Sequence, residues 1–352
     1  MSKKLCGIQQ IGVGVKDAKE AWKWYRTQFG MDINVFEDTA VAELMLPHTD
    51  GKTRERYAAL AMNLEGGGGF EIWQHNGITP KAPDFELQLG DLGIFITKMK
   101  CRDVQKAYET HKERGLNIIG ELSEDPAGTK HYFVKDPYDN IFQVIEDDSC
   151  FKKQKSLTGG VFGCVIGVTD IDASLKVYSD ILQYDEVIYD EKGTFSDLAA
   201  LPGGELKCRR ILLKHSETRT GSFSSIYGPT EIELVQIEGR TPKKIFENRI
   251  WGELGFIHLC FDIIGMDDLR EECKSKGFPF TVDSADSFDM GVAAGHFSYI
   301  EDPDGTLIEF VETHKLPIIE KLGWYMNLKD RDPNKGIPKW MISTLAFSRI
   351  KD

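Results

Sequence analysis

The sequence has no apolar segment long enough to cross a membrane as a helix. Hydrophobic residues make up 41% and charged residues 28% of its 352 residues, which is ordinary for a globular protein. No apolar run approaches the roughly 18 residues that a membrane span requires. The N-terminus, MSKKLCGIQQ, carries two lysines but not the apolar core of a secretory signal. These absences predict a cytoplasmic protein that works away from membranes.

The chain also lacks paired cysteines and an excess of basic residues. Its seven cysteines are odd in number and have no CxxC spacing, which argues against both a zinc ribbon and a disulfide framework and favours reduced thiols in the cytoplasm. The net charge of −13 argues against nucleic acid or an anionic membrane surface as a partner. The charge does not identify a substrate.

Two repeated patterns organise what is present. Residues 10–17 read QIGVGVKD and residues 163–170 read GCVIGVTD. A second pair, VKDPYDNIFQVIE at 134–146 and IEDPDGTLIEFVE at 300–312, repeats a different segment. Because internal repeats determine architecture, these matches predict a doubled two-part unit.

Each copy of the first pattern reads as a strand followed by a helix. Apolar side chains alternate through Gln10–Val15, which is the period of a strand with one buried face. Asp17 stands at the N-cap position of an amphipathic helix expected over 18–29. The second copy repeats this arrangement, with Tyr178 at the place of Tyr25.

Further strand-like stretches extend each copy to the order βαβββ. The sequence therefore predicts an α+β fold of four βαβββ modules, at 8–75, 91–147, 161–238 and 256–312. We group them as two tandem pairs, 1–150 and 151–312, followed by a helical C-terminal tail, 313–352. The tail carries amphipathic, aromatic-rich segments, which predict either docking on exposed core or a lid over a cleft.

The module pattern resembles the vicinal oxygen chelate superfamily, which includes glyoxalase I, methylmalonyl-CoA epimerase, extradiol and hydroxyphenylpyruvate dioxygenases and antibiotic-binding proteins. The features that carry the resemblance are the V-x-D ending of the first strands and the DPYDNIFQ and DPDGTLIE motifs. It covers residues 8–312. It implies that modules pair into two curved-sheet clefts, with metal ligands on the first and last strand of each module.

That resemblance places two candidate ligands in every module. They are Gln10 and Glu71, Asp91 and Gln143, Gly163 and Glu233, and His258 and Glu309. Strand alternation supports the last pair, because His258 and Glu309 are polar residues on one face of otherwise apolar strands.

How the modules pair decides the composition of the site. Tandem pairing would give the sets Gln10/Glu71/Asp91/Gln143 and Gly163/Glu233/His258/Glu309. Crossed pairing of the first module with the fourth, and of the second with the third, would give the sets Gln10/Glu71/His258/Glu309 and Asp91/Gln143/Gly163/Glu233. We favour crossed pairing, because the first of its sets matches zinc-type glyoxalase I and fused glyoxalase I chains pair in this way. The other set then forms a polar, metal-free cleft.

One imidazole and oxygen donors suit a single divalent metal ion: Zn, Ni, Co, Mn or Fe. The resemblance implies a glyoxalase-like isomerase, epimerase or lyase that acts on a substrate with adjacent oxygens and removes a proton next to a carbonyl through a metal-bound enediolate. Glu71 and Glu309 would then be both ligands and catalytic proton carriers, with Gln10 and His258 as anchoring ligands.

Two alternatives stay open. An Fe(II) dioxygenase of the extradiol or hydroxyphenylpyruvate type would fit the four-module length and the tail, but Gly163 stands where that branch needs a histidine. A non-catalytic small-molecule-binding protein is the other. His131 and His296 are further histidines that could reach a cleft. The oligomeric state is open, since four modules complete two clefts without a partner subunit.

Overall fold

The computed structural model describes residues 3–285, 288–289, 294–319 and 324–351. It has the predicted α+β fold, in which two curved sheets carry helices between them. Each module contributes one main helix and the strands that surround it, in the order expected from the repeats.

The first and second modules run in sequence. The first contains β1 (Lys4–Gly14), α1 (Ala18–Phe29), β2 (Ile33–Val41), β3 (Glu55–Met62) and β4 (Gly69–His75). The second contains β5 (Gly93–Cys101), α2 (Val104–Glu113), β6 (Asn117–Glu124), β7 (Lys130–Lys135) and β8 (Ile141–Glu146).

The third and fourth modules repeat this order. The third contains β9 (Val161–Gly167), α3 (Ile171–Tyr178), β10 (Glu186–Gly193), β11 (Cys208–Lys214), the short α4 (Ser224–Tyr227) and β12 (Glu231–Ile237). The fourth contains β13 (Gly255–Ile264), α5 (Met266–Ser275), β14 (Val282–Asp283), β15 (Phe288–Asp289), β16 (Ala294–Glu301) and β17 (Leu307–Ile319).

The modules pair in the crossed arrangement. In the first sheet the strands run β14-β16-β17-β13-β1-β4-β3-β2, so the fourth module joins the first through the antiparallel pair β13 and β1. In the second sheet they run β10-β11-β12-β9-β5-β8-β7-β6, joined through β9 and β5. The crossed pairing that we favoured is therefore the observed one. We call the concave face of the first sheet the first cleft and that of the second sheet the second cleft.

The main core lies between the two sheets and includes the inner faces of α1 and α3. The Tyr25 hydroxyl of α1 donates to Asp136 at 2.8 Å, in the Asp-Pro turn of the second module. The equivalent Tyr178 of α3 donates to Asp302 at 2.9 Å, in the turn of the fourth module. The two repeated sequence motifs thus bind each other, and each buried bond ties one sheet to the other.

The start of α1 confirms the predicted N-cap. The Asp17 carboxylate accepts from the backbone N–H groups of Lys19 and Glu20, both at 3.0 Å, which satisfies donors that have no partner inside the helix. The helix spans Ala18–Phe29, as predicted, and Gly30 ends it with φ of 64°, a conformation that glycine adopts without strain.

A glycine run joins the two sheets at their backs. The backbone groups of Gly68 and Val161 bond each other in both directions at 2.8 Å. A Cβ atom on Gly67 would lie 2.8 Å from the Gly160 carbonyl carbon, so the two main chains approach each other more closely than a side chain allows. The run is a structural junction.

The tail differs in part from the predicted helices. Its first part continues β17 to Ile319 and returns as β18 (Trp324–Asn327), which pairs antiparallel with β17. Within the tail residues that the structure describes, helix occurs later, as the short α6 (Lys339–Ile342) and a 3-10 turn, Ser343–Ser348. The first part is rich in β-branched and aromatic residues, which suit a strand paired to an existing edge.

Across the described parts of the chain, no helix has the length and apolar character needed to span a membrane.

Candidate metal centre

Four strands bring the candidate ligands to one place in the first cleft. Gln10 of β1 and Glu309 of β17 both pair with Cys260 of β13, so these three residues form one row across the sheet. In the neighbouring row, Glu71 of β4 pairs with Gly12 of β1. His258 shares the face of Cys260, because the two lie two residues apart in a strand.

Gly12 leaves the space that the His258 imidazole fills. A Cβ atom on Gly12 would lie 2.5 Å from Cε1 and 2.9 Å from Nε2 of this ring. Only glycine therefore allows the imidazole to lie over β1 and reach Glu71 on the far side. The alternating glycines of the QIGVG motif, noticed only as a repeat in the sequence, have a definite role here.

The predicted acidic and imidazole ligands converge. His258 Nε2 lies 3.3 Å from Glu71 Oε2 and 3.1 Å from Glu309 Oε2. One ligand atom from each of these three residues lies within 4.8 Å of the other two, which is close enough for one divalent ion to bind all three. Such convergence from the first and fourth modules exists only because the pairing is crossed.

The polar atoms at this place are poorly satisfied by the protein itself. Among the described residues, Gln10 Oε1 and His258 Nδ1 have no hydrogen-bond partner, although buried polar atoms normally have one. The side chains of Glu71 and Glu309 are 12% and 10% exposed, whereas that of His258 is fully buried. The donor set therefore fits a metal ion that keeps one side open to solvent.

The imidazole of His258 offsets only part of the charge of the two carboxylates. Burial lowers the pKa of His258, but the neighbouring charges of Glu309 and then Glu71 outweigh it and raise that pKa to about 10. The imidazolium is then the cation that faces the two carboxylates. An ion at this place has the same electrostatic partners.

Two further side chains, those of Tyr299 and Cys260, touch the cluster, and sequence reasoning assigned no role to Tyr299. Tyr299 pairs across the strands with Glu309, and its ring meets the His258 ring edge-on at 5.6 Å. Burial and then the Glu309 carboxylate raise the pKa of Tyr299 and of Cys260. Both groups therefore stay neutral beside the ligands. The signal for Tyr299 was its position ten residues before Glu309, on the strand that pairs with it.

The second cleft has the same strand register with different residues. Gly163 stands at the place of Gln10, and its partner on β5 is Lys98. Lys98 in turn pairs with Gln143, as Cys260 pairs with Glu309. Lys98 is thus the counterpart of Cys260.

The predicted ligand position Asp91 is wrong in this register. In the first sheet Leu259 pairs with Ile11, and in the second sheet Thr97 pairs with Cys164, the repeat equivalent of Ile11. Thr97 is therefore the counterpart of Leu259. One residue earlier in each strand, Ile96 is the counterpart of His258. Asp91 lies before β5, where its carboxylate accepts from Arg240 at 2.6 Å and from the backbone N–H groups of Gln88 and Lys243. Its role is to hold a linker.

A buried ion-pair network fills the second cleft. Lys98 Nζ lies 2.7 Å from Glu231 and 2.8 Å from Glu233. Arg210 binds Glu233 at 2.6 Å and Asp197 at 2.8 Å. Burial raises the pKa of Glu233, but the charges of Arg210 and Lys98 outweigh burial and lower that pKa to about 2. The cleft is polar, as expected, and its carboxylates are paired with the protein's own cations; that it holds no metal stays a prediction.

The two additional histidines lie in different surroundings. His131 is buried in the second cleft, 3.8 Å from Asp197. His296 lies 2.5 Å from Asp283. In β16 it is on the opposite face from Tyr299, which faces the first cleft. Neither belongs to the group of ligand atoms around His258.

The tail covers one end of the first sheet. Leu328, Ile337 and Ile342 are buried in a cluster with Ile33 and Met62 of the first module. The backbone N–H of Ile350 donates to the Asp32 carbonyl at 2.9 Å, and Arg349 forms an ion pair with the Asp32 carboxylate at 2.6 Å. Docking on exposed core is therefore observed, and the lid stays a prediction.

Comparison with known proteins agrees with this architecture. The model of the Glyoxalase/Bleomycin resistance protein/Dioxygenase superfamily matches residues 7–144 and 161–310. A point mutant of glyoxalase I from Zea mays is 17% identical with a TM-score of 0.55, covering 88% of this chain and 94% of its own. A putative dioxygenase from Bacillus subtilis is 13% identical with a TM-score of 0.59, covering 99% and 98%. These similarities show the fold. No curated protein matches the chain significantly.

Proposed function

Because the chain belongs to the glyoxalase/bleomycin resistance protein/dioxygenase superfamily, we propose that it is a metal-dependent enzyme of the vicinal oxygen chelate type. Its reaction would be an isomerisation, epimerisation or elimination that begins with removal of a proton next to a carbonyl. The substrate would be a small molecule with two adjacent oxygens, and the enzyme would work in the cytoplasm, for which the seven free cysteines are suited.

One observation carries this proposal. Glu71, His258 and Glu309 come from separate strands of two distant modules, yet their ligand atoms lie within 4.8 Å of one another. A group of two carboxylates and an imidazole, partly open to solvent, is costly to assemble unless it binds something, because like charges repel and buried polar atoms need partners. A divalent ion held there supplies Lewis-acid polarisation of adjacent substrate oxygens.

The side chains divide the work between holding and proton transfer. His258 is fully buried and fixed over Gly12, and Gln10 offers an unpartnered oxygen from the same sheet, so both suit anchoring. Glu71 and Glu309 retain solvent exposure. Either carboxylate can therefore take the proton from the substrate carbon and return it to the product, which is general acid–base catalysis.

Tyr299 would hold Glu309 in place. It is buried and faces both Glu309 and His258, and its phenol remains protonated because burial and the nearby carboxylate raise its pKa. A neutral donor beside Glu309 limits the directions in which that carboxylate can turn, which favours the geometry needed for proton transfer.

The test combines metal analysis with proton exchange. Purified protein is reconstituted with Zn, Ni, Co, Mn or Fe(II), and ion content is measured after removal of free metal. A panel of small α-hydroxy ketones is then incubated with the loaded protein in deuterated water. We expect about one ion per chain and exchange of the proton next to the carbonyl, detected by NMR. Glu309→Gln preserves the size of the side chain and should abolish the exchange.

Two outcomes would replace this proposal. Oxygen consumption by the Fe(II) protein with a catechol or an aromatic α-keto acid, without proton exchange, would indicate a dioxygenase. No bound ion after reconstitution with any of these metals would indicate a binding protein without turnover.

A further inference from the structure

The row of paired residues that contains Gln10 and Glu309 has a small, uncharged side chain between these two candidate ligands. Cys260 lies between Gln10 and Glu309 in the sheet register and is fully buried. Its thiol donates weakly to Gln9 Oε1, with an S···O distance of 3.6 Å. The thiol neither fills the space between the carboxylates nor supplies positive charge to them.

Lys98, the counterpart of Cys260 in the second cleft, extends between two carboxylates and supplies positive charge to them. Lys98 is buried on β5, and its ammonium group lies 2.7 Å from Glu231 and 2.8 Å from Glu233. Glu233 pairs with Val165 of β9 as Glu71 pairs with Gly12 of β1, so it is the repeat equivalent of Glu71. A long side chain at this register position therefore reaches the carboxylate that in the first cleft is a candidate ligand.

We propose that a cationic side chain at this register position excludes a metal ion from its cleft, in addition to the loss of ligands at the positions of Gly163, Ile96 and Gln143 in the second cleft. In the second cleft Lys98 supplies the positive charge from within the protein, and in the first cleft Cys260 leaves that place to an ion. The chain then binds one ion and not two. This inference rests on the proposed function, because it takes the first cleft to be the metal site.

The physical reason is that an ammonium group and a divalent ion compete for the same carboxylates. Lys98 makes short ion pairs in a place from which water is excluded, where separating the charges is expensive. A second cation a few ångströms away would be repelled strongly, since screening inside a protein is weak. The short side chain of Cys260 carries no ammonium group to place between the carboxylates, so it makes neither contribution.

The first experiment transfers the cationic side chain between the clefts. Cys260→Lys is compared with Cys260→Met, which adds an unbranched chain without charge, and with Cys260→Ser, which keeps size and a donor. We expect Cys260→Lys to weaken ion affinity by at least ~1,000-fold, the repulsion of like charges a few ångströms apart in protein. Cys260→Ser should remain near wild type and Cys260→Met within ~10-fold, because neither adds charge. Ion content after dialysis and the ion-dependent shift in melting temperature are measured.

A reciprocal experiment does not depend on the folding of Cys260→Lys. In a His258→Ala background, Lys98→Met removes the ammonium group and leaves Glu231 and Glu233 short of one positive charge. We expect added Mn(II) to raise the melting temperature of the double variant, and not that of His258→Ala alone. No Mn(II)-dependent difference between the two proteins would show that Lys98 does not stand in for an ion.

The other outcomes separate this inference from the proposed function. Wild-type protein that takes up no ion overturns both. Wild-type protein with two ions per chain, ion binding by Cys260→Lys at wild-type affinity, or an equal loss in Cys260→Met and Cys260→Lys overturns this inference and leaves the proposed function standing.

Discussion

The first and second clefts share one strand register but obtain their positive charge from different sources. In the second, Lys98 and Arg210 are built into the sheet and satisfy Glu231, Glu233 and Asp197 with ion pairs of 2.6–2.8 Å. In the first, two carboxylates meet a single imidazole and an amide oxygen without a partner. A duplicated fold can therefore use one copy of a site for stability and keep the other available for chemistry.

The largest expected effect is on ion affinity, which should depend on His258 in the first cleft and not on Gln143 in the second. His258→Ala removes the only imidazole among the candidate ligands, and we expect ion affinity to fall by more than ~100-fold, beyond the cost of losing a residue that only supports a ligand. Isothermal titration with the metal gives the value. Gln143→Leu changes the counterpart of Glu309 in the second cleft and should leave ion affinity as it is; a similar fall there would mean that the second cleft also binds metal.

The next effect concerns stability and belongs to the second cleft. Arg210→Met leaves Glu233 and Asp197 buried without one cation, and we expect a loss of about 3–5 kcal/mol in the free energy of unfolding. Arg209, its neighbour, pairs with Asp190 and Asp172 near the surface, so Arg209→Met should cost less than about 1 kcal/mol. Urea unfolding measures both. Equal losses would contradict the structural role that we give to the buried network.

The pH dependence of stability should show a buried acid in the first cleft. Burial, with a smaller contribution from Glu312, raises the pKa of Asp262 to about 8, although Cys6 opposes this by donating to it. Since its pKa in the unfolded chain is near 3.9, stability should fall between about pH 4 and pH 8, by up to about 1.4 kcal/mol per pH unit.

Asp262→Asn tests that dependence and sharpens the comparison. Asp262 follows Cys260 by two residues, as Lys100 follows Lys98, so Lys100 is its counterpart in the second cleft. Lys100 forms an ion pair with Asp147 at 3.3 Å. The asparagine variant should lose less stability than wild type between pH 6 and pH 8 when unfolding is followed by urea titration at each pH. An unchanged slope would mean that Asp262 is ionised in the folded protein.

The smallest effect compares the two bonds that tie the sheets together. Tyr25→Phe removes the bond to Asp136, and Tyr178→Phe removes the equivalent bond to Asp302. Each should cost about 1.5–3 kcal/mol, the usual value for a hydrogen bond to a charged group. Thermal or urea unfolding of both variants would detect a difference, and unequal costs would show that the two junctions are not energetically equivalent.

Much of the fold was predictable because it repeats. The matching motifs around Asp17 and Asp170 located the helices, and α1 has the predicted bounds. Alternation within strands put His258 and Glu309 on one face, and the family resemblance added Gln10 and Glu71. Crossed pairing rested on that resemblance, because sequence alone does not state which strand edges meet.

The misassignment of Asp91 has a definite cause. Asp91 lies before β5, which begins at Gly93, whereas His258 lies inside β13, and the register between β5 and β9 also shifts at Ile94 and again at Lys98. Counting from the start of a module cannot account for these differences. Lys98 could have been noticed as the one charge in the run IFITKM, since a lysine inside an apolar strand needs a buried partner. The tail was misjudged because its apolar residues fit either period, and the C-terminal part of β17, which extends beyond its pairing with β13, paired with a strand.

The crossed topology also has a consequence for how the molecule is made. Lys4 pairs with Ile264 and Gly14 with Gly255, so β1 leaves the ribosome long before its antiparallel neighbour is synthesised. Contacts between such distant segments form slowly, and an unpaired strand edge invites wrong association meanwhile. The second sheet can close once β12 has emerged. The cleft that would hold the ion is therefore assembled last, after its duplicate is already in place as a scaffold.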